Sequence, residues 1–195
     1  MKKHLFLTGP AGCGKSSLLR ELLGLALAMA GGFVTQRSLD ETGALVGIDL
    51  YPAAAAGGVV GFSPSRIVDF RREPPKTDNE VFRSQGVRLL QGAAYYPFVL
   101  LDEIGGFELI IPQFRSALEE LLSGDQPCIG VVKSLEDAED MRRRLGLSER
   151  YRLNAQRLHE ALAADAETTV LKIHSINDET ARRIVGQWAR EFVFS

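Results

Sequence analysis

The chain has little of what would make it a disulfide scaffold, a metal-rich module or a membrane protein. Its only cysteines are Cys13 and Cys128, and they form no CxxC pair. That spacing excludes a disulfide framework and a cysteine-ligated zinc site. The three histidines, His4, His159 and His174, are scattered without ligand spacing. Long apolar runs are absent as well. The longest, residues 18–30, contains Arg20, Glu21 and Gly24, and is too short and too mixed to span a bilayer. Two lysines precede the first apolar run in the manner of a signal peptide, but Gly9-Pro10 cuts that run short. A cytoplasmic, reducing location without a membrane partner is expected. Nor is there an excess of charge of one sign, since 23 basic residues face 25 acidic ones, a formal net charge of −2. No overall basic field draws in nucleic acid, which is therefore not an expected partner. The one basic run, Arg142–Arg144, follows Glu136, Asp137, Glu139 and Asp140, and reads as a self-pairing helix face.

What is present is a core-forming chain, 45% hydrophobic over 195 residues, ample for one buried core. A short apolar run at 3–8 reads as a strand. The Leu/Ala-rich segment 15–30 reads as a buried helix stopped by Gly31-Gly32. Residues 33–38 and 44–50 flank Asp40-Glu41-Thr42-Gly43 as a hairpin. Helices are expected at 79–91, 112–123, 135–145, 148–164 and 178–191, the last capped by Asn177. Apolar strands are expected at 98–101, 128–132 and 168–173. Strands alternating with helices predict an α/β fold around a mainly parallel sheet flanked by helices, with an added antiparallel hairpin at one side.

One segment carries explicit chemistry. Gly9-Pro10-Ala11-Gly12-Cys13-Gly14-Lys15-Ser16 fits the phosphate-loop pattern G-x-x-x-x-G-K-[ST], and Ser17 follows it into the helix. Glycines let successive backbone N–H groups curl toward phosphate oxygens. The helix that follows adds the partial positive charge of its first turn. Lys15 is placed to reach the β- and γ-phosphates, and the Ser16 hydroxyl to ligate magnesium. The loop also follows a predicted strand and opens a predicted helix, as the chemistry requires. The binding set is therefore Gly9 through Ser17, for a nucleoside triphosphate with Mg²⁺.

A second feature fits the first. Phe98-Val99-Leu100-Leu101 is an apolar strand that ends in Asp102-Glu103. A phosphate-loop enzyme needs an acid there for magnesium, and Asp102 is the candidate. Glu103 is the candidate for orienting an attacking water. Neighbouring strand residues point to opposite faces, so both acids serve one site only if the strand ends there, as Gly105-Gly106 suggests.

Here the chain resembles the THEP1-type nucleoside-triphosphatases. The resemblance lies in LFLTGPAGCGKSSL (5–18), GGFVTQR (31–37) with GIDLY (47–51), and above all LLDEIGGFEL (100–109). It covers residues 1–133 in order, with a looser fit at the final strand and helix. It implies a RecA-like α/β fold in a single domain, 1–195, and slow magnesium-dependent hydrolysis of ATP, GTP and other nucleoside triphosphates to the diphosphate and phosphate. Several positions depart from the family pattern. Ala11 and Cys13 replace the usual Pro and Val of the loop. Gly106 stands where the family often has Lys, so a basic residue near the site is expected to be missing. A helical stretch at about 137–166 reads as an insertion that could serve a protein partner, and the late Asn-Arg-Asp-like motif is reduced to Asn177-Asp178.

Weaker candidates surround this centre. Arg66, within FSPSR, is similar to a Ser/Ala-Arg segment of the family and is a candidate catalytic cation on the γ-phosphate. Glu108 is a candidate support for the metal site, and Cys13, at a helix start, a candidate reactive thiol. Arg71, Arg72 and Lys76 read as a solvated loop. Beside hydrolysis stand two alternatives: a small-molecule or nucleotide kinase, and a nucleotide-driven switch or accessory subunit.

Overall fold

A computed structural model describes residues 1–194. Eight strands form one sheet in the order β5-β4-β3-β2-β6-β7-β1-β8. They are β1 (His4–Thr8), β2 (Ala30–Leu39), β3 (Leu45–Pro52), β4 (Ser65–Asp69), β5 (Lys76–Thr77), β6 (Phe98–Ile104), β7 (Cys128–Val132) and β8 (Thr168–Lys172). The five strands from β2 to β8 in that order run parallel. The three at the other side, β3, β4 and β5, pair antiparallel. The expected hairpin is β2–β3, turned by Asp40, whose carboxylate accepts from the N–H groups of Thr42 (2.9 Å) and Ala44 (3.0 Å). Strands β4 and β5 extend it beyond the sequence expectation. Parallel strands buried on both faces read as continuous apolar runs, as Cys128-Ile129-Gly130-Val131-Val132 does.

Helices cover both faces. On one lie α1 (Lys15–Leu23) and α7 (Glu179–Phe192), burying Leu18, Leu19 and Leu23 with Trp188 against β1 and β7. Each buried leucine contributes about 1.5–3 kcal/mol, so Leu18→Ala is a core-breaking change. On the other face α2 (Asn79–Val81) passes through a π-helical turn at Phe82–Gly86 into α3 (Val87–Gln91), which packs beside α4 (Pro112–Ser123). Phe33, Phe82, Phe107 and Phe114 meet edge to face there, with centroids 5.2–6.1 Å apart, beneath the carboxyl end of β6. Helices α5 (Leu135–Leu145) and α6 (Glu149–Ala164) form the crossover that returns the chain from β7 to β8.

Two local expectations are corrected. The Leu/Ala-rich helix ends at Leu23, because Gly24 adopts φ 51°, and residues 24–29 continue as a 3₁₀ turn into β2. The last helix is capped by Asp178, whose carboxylate accepts from the Ala181 N–H at 2.9 Å, and not by Asn177.

Candidate active site

The parallel strands end at one edge of the sheet, where α/β folds bind ligands. The phosphate loop leaves β1 and enters α1 through Gly14 at φ 95°. A side chain at this position would be strained, and its Cβ would lie 2.7 Å from Ile176 Cβ. The loop backbone can approach a phosphate only with glycine here. Lys15 is buried, and its ammonium donates to the carbonyls of Gly9 (2.7 Å) and Pro10 (2.9 Å). That contact keeps the charge inside the cradle.

Strand order sets the neighbours. β7 lies between β1 and β6, and the acidic end of β6 faces the loop across it. The Ser16 hydroxyl donates to Asp102 Oδ1 at 2.7 Å, and Arg20, one turn along α1, comes within 3.7 Å of Asp102 Oδ2. Asp102 is 3% exposed. Burial pushes its carboxyl up to about 6, against the Ser16 hydroxyl and the Arg20 charge, which pull it down. Strand β6 does not stop at Leu101 but runs to Ile104. Its ladder with β7 is irregular between Asp102 and Ile104, so Glu103 falls outside the regular pairing. This bulge resolves the alternation problem, because Asp102 and Glu103 both line the same cleft.

The expected lack of a nearby cation is corrected by a residue that sequence reasoning passed over. Lys133, just beyond β7, places Nζ 2.7 Å from Glu103 Oε1, with side chains 16% and 25% exposed. No local pattern marked it, because its place beside Glu103 follows from β7 lying next to β6 in the sheet. Arg20 was legible, four residues after Ser16 on the same helix face. Glu108 is fully buried, and its carboxylate accepts from the N–H groups of Gly105 (2.7 Å) and Gly106 (2.8 Å). Burial raises its carboxyl to about 7, with these backbone donors pulling against the rise. Glu108 therefore shapes the turn after Glu103 at the edge of the same cleft. Helix α6 clamps the same turn. The Tyr151 hydroxyl donates to Gly105 O at 2.8 Å, Asn154 Nδ2 to Leu109 O at 2.8 Å, and His159 Nε2 lies 2.8 Å from Lys133 O.

Arg66 is not brought to the loop. It sits on β4, bound through Nε and a second contact of 3.3 Å to the buried carboxylate of Asp49. It does not line the cleft of about 700 Å³ that joins the loop, Asp102, Glu103 and Lys133. Cys13 is partly buried, with Sγ 3.7 Å from Ile173 O.

Comparison with known proteins places the chain in a family and a fold. A family model described as NTPase matches residues 4–162. The chain belongs to the THEP1-type nucleoside-triphosphatase family. It is 28% identical over 138 residues to the nucleoside-triphosphatase THEP1 of Thermotoga petrophila, covering 68% of this chain and 73% of that one. It is 30% identical over 140 residues to the cancer-related nucleoside-triphosphatase homolog of Mus musculus, covering 63% and 70%. The crystal structure of THEP1 from Aquifex aeolicus superposes with a TM-score of 0.59 at 14% identity, covering 97% of this chain and 98% of that one, which shows the shared fold. The family match ends inside α6, so it takes in α5 and most of the crossover. Among the described residues no helix is long and apolar enough to cross a membrane.

Proposed function

We propose that the protein hydrolyses nucleoside triphosphates, ATP and GTP among them, to the diphosphate and phosphate with magnesium. The observation that carries this reading is the 2.7 Å contact between Ser16 Oγ and Asp102 Oδ1, beside Lys15 and Glu103 in one cleft. Two hard oxygen donors converge there, and among the described residues no group of three or more His, Cys, Asp or Glu forms a complete cage. That donor set fits Mg²⁺, which takes one or two protein oxygens and completes its shell with phosphate and water. Ser16 and Asp102 would hold it, and it would supply charge neutralisation for the β- and γ-phosphates.

The chain's own residues do the rest. Backbone N–H groups of Gly12 to Ser17 bind the phosphate oxygens, and the Lys15 ammonium exchanges its two carbonyl contacts for the β- and γ-phosphates. Glu103 accepts a hydrogen bond from the attacking water and takes up its proton as the bond to the leaving diphosphate breaks. Lys133 acts as a positioning residue that fixes the carboxylate. Arg66 is left out of this scheme because Asp49 already engages its guanidinium. In this reading 1–195 acts as one phosphate-loop domain, and the 137–166 stretch serves the site through the α6 clamp. The test is phosphate release from ATP, GTP, CTP and UTP, each with magnesium and with chelator. Release that needs magnesium supports the reading, and equal release in chelator contradicts it.

A further inference from the structure

A groove of about 470 Å³, in the size range of small-molecule sites, separates helices α4 and α6. It shares no lining residue with the nucleotide cleft. The two helices run in the same direction. At one end Asn154 on α6 reaches Leu109 O, just ahead of α4. At the other end both come to β1, where His4 Nε2 lies 3.0 Å from Leu122 O and the His4 N–H donates to Glu167 O at 2.9 Å. Arg115 stands nine residues before Gly124, where α4 ends, and Arg157 eight before Asp165, where α6 ends. At about 1.5 Å per residue the two arginines are level to within about 2 Å, so one end of the groove carries both cations. Below them the lining is apolar, with Leu118 and Leu122 from α4 and Leu158 and Leu162 from α6.

The cations lack partners. Among the described residues neither Arg115 nor Arg157 is ion-paired, and Arg115 Nε is buried with no hydrogen-bond partner. Glu119 is exposed at the rim. Asp165 closes the far end, and its carboxylate already accepts from the Thr168 hydroxyl (2.6 Å) and the Glu167 N–H (3.1 Å). A buried donor without an acceptor is costly, and two guanidiniums above a leucine-lined wall match an oxyanion on an apolar body. The charge of Asp165 repels an anionic head from the far end, which sets the orientation. We propose that the α4–α6 groove is an effector site for an aliphatic carboxylate, its head on Arg115 and Arg157 and its chain along the leucines. The site touches the catalytic turn. Leu109 and Asn154 both line the groove. Leu109 adjoins Glu108, whose carboxylate holds the Gly105 and Gly106 N–H groups just after Glu103. A ligand packed on the Asn154–Leu109 hydrogen bond favours the clamped turn, and turnover rises with that population. The effect on turnover rests on the hydrolytic reading above, and the binding does not.

The experiment titrates sodium octanoate into the full chain by calorimetry, with octanamide and octyltrimethylammonium as neutral and cationic probes of the same chain length. Phosphate release from Mg-ATP is followed with and without octanoate. The proposal expects saturable binding of octanoate alone. It also expects affinity to fall at least about tenfold in Arg115→Ala and in Arg157→Ala. Without octanoate both variants should melt as the parent does and release phosphate within about twofold of its rate. Saturating octanoate should raise release by the parent at least about twofold and leave release by the two variants unchanged. No saturable binding of octanoate overturns the proposal, and equal binding of octanamide overturns the role of the carboxylate. Affinity that both variants retain overturns the assignment to this groove. Bound octanoate with unchanged release by the parent overturns the effector role. Absence of release under every condition, with octanoate bound, overturns the hydrolytic reading and leaves the carboxylate site standing.

Discussion

Replacing Glu103 by glutamine keeps the size of the side chain and one acceptor oxygen but removes the charge. In the structure that charge sits 2.7 Å from the Lys133 ammonium at the rim of the cleft. The carboxylate lies outside the regular β6–β7 pairing, so the sheet does not depend on it. A positioned general base is worth roughly 10²–10⁴ in rate. At about 1.4 kcal/mol per factor of ten, that adds about 3–6 kcal/mol to the barrier. Phosphate binding uses the loop, so affinity for a non-hydrolysable Mg-ATP analogue should stay within a fewfold. Single-turnover phosphate release and a calorimetric titration measure the two quantities separately. Lys133 supplies a further check. If it acts by fixing Glu103, Lys133→Met should slow release by about tenfold in the parent but change the Glu103→Gln variant by less than about threefold. Parent-like release from Glu103→Gln would refute the reasoning, because the carboxylate would then have no part in activating water.

Three further outcomes are expected. Tyr151→Phe removes the buried hydrogen bond to Gly105 O and should lower stability by about 1–3 kcal/mol in urea unfolding, and turnover with it. An unchanged midpoint would show that α6 does not hold the turn. Maleimide should label Cys13 and block turnover, and bound Mg-ATP should slow the labelling. Cys128 will not interfere, since burial pushes its thiol up to about 12. Equal labelling rates with and without nucleotide would place Cys13 away from the ligand. His4 is buried, with Nε2 3.0 Å from Leu122 O and Nδ1 without a partner, and burial holds its imidazole below the ordinary 6.5. The unfolded chain therefore takes up a proton first, so the stability His4 contributes is present above 6.5 and is lost as pH falls below it. Between about pH 7.5 and pH 5.5 the melting temperature of the parent should fall more than that of His4→Gln; parallel curves would contradict this.

The phosphate loop and the acidic strand end were legible because each is a local pattern with a fixed chemical purpose. The parallel strands were legible because strands buried on both faces are apolar throughout, as at 98–101 and 128–132. Lys133 was not legible, because its meaning comes from β7 lying between β1 and β6, a fact of strand order that no local pattern carries. Arg66 misled for the same reason: its partner, Asp49, lies across the β3–β4 ladder, 17 residues away in sequence. The helix overrun to residue 30 came from weighing Leu and Ala propensity above Gly24, whose positive φ ends the helix. The stretch at 137–166 read as an insertion that could serve a protein partner, with nothing in its charged sequence pointing toward the site. Its buried residues Tyr151 and Asn154, which hold the turn after Glu103, were hidden among charged neighbours.

The central claim is that this loop binds and hydrolyses a nucleoside triphosphate, and Lys15 tests it most directly. Phosphate release from Mg-ATP should be compared for the parent and Lys15→Ala, prepared identically and shown folded by coincident melting curves. Loss of the charge-assisted contacts predicts a fall of at least about a hundredfold in kcat/KM. Equal release from the two proteins would contradict the account, because hydrolysis would then occur at some other site.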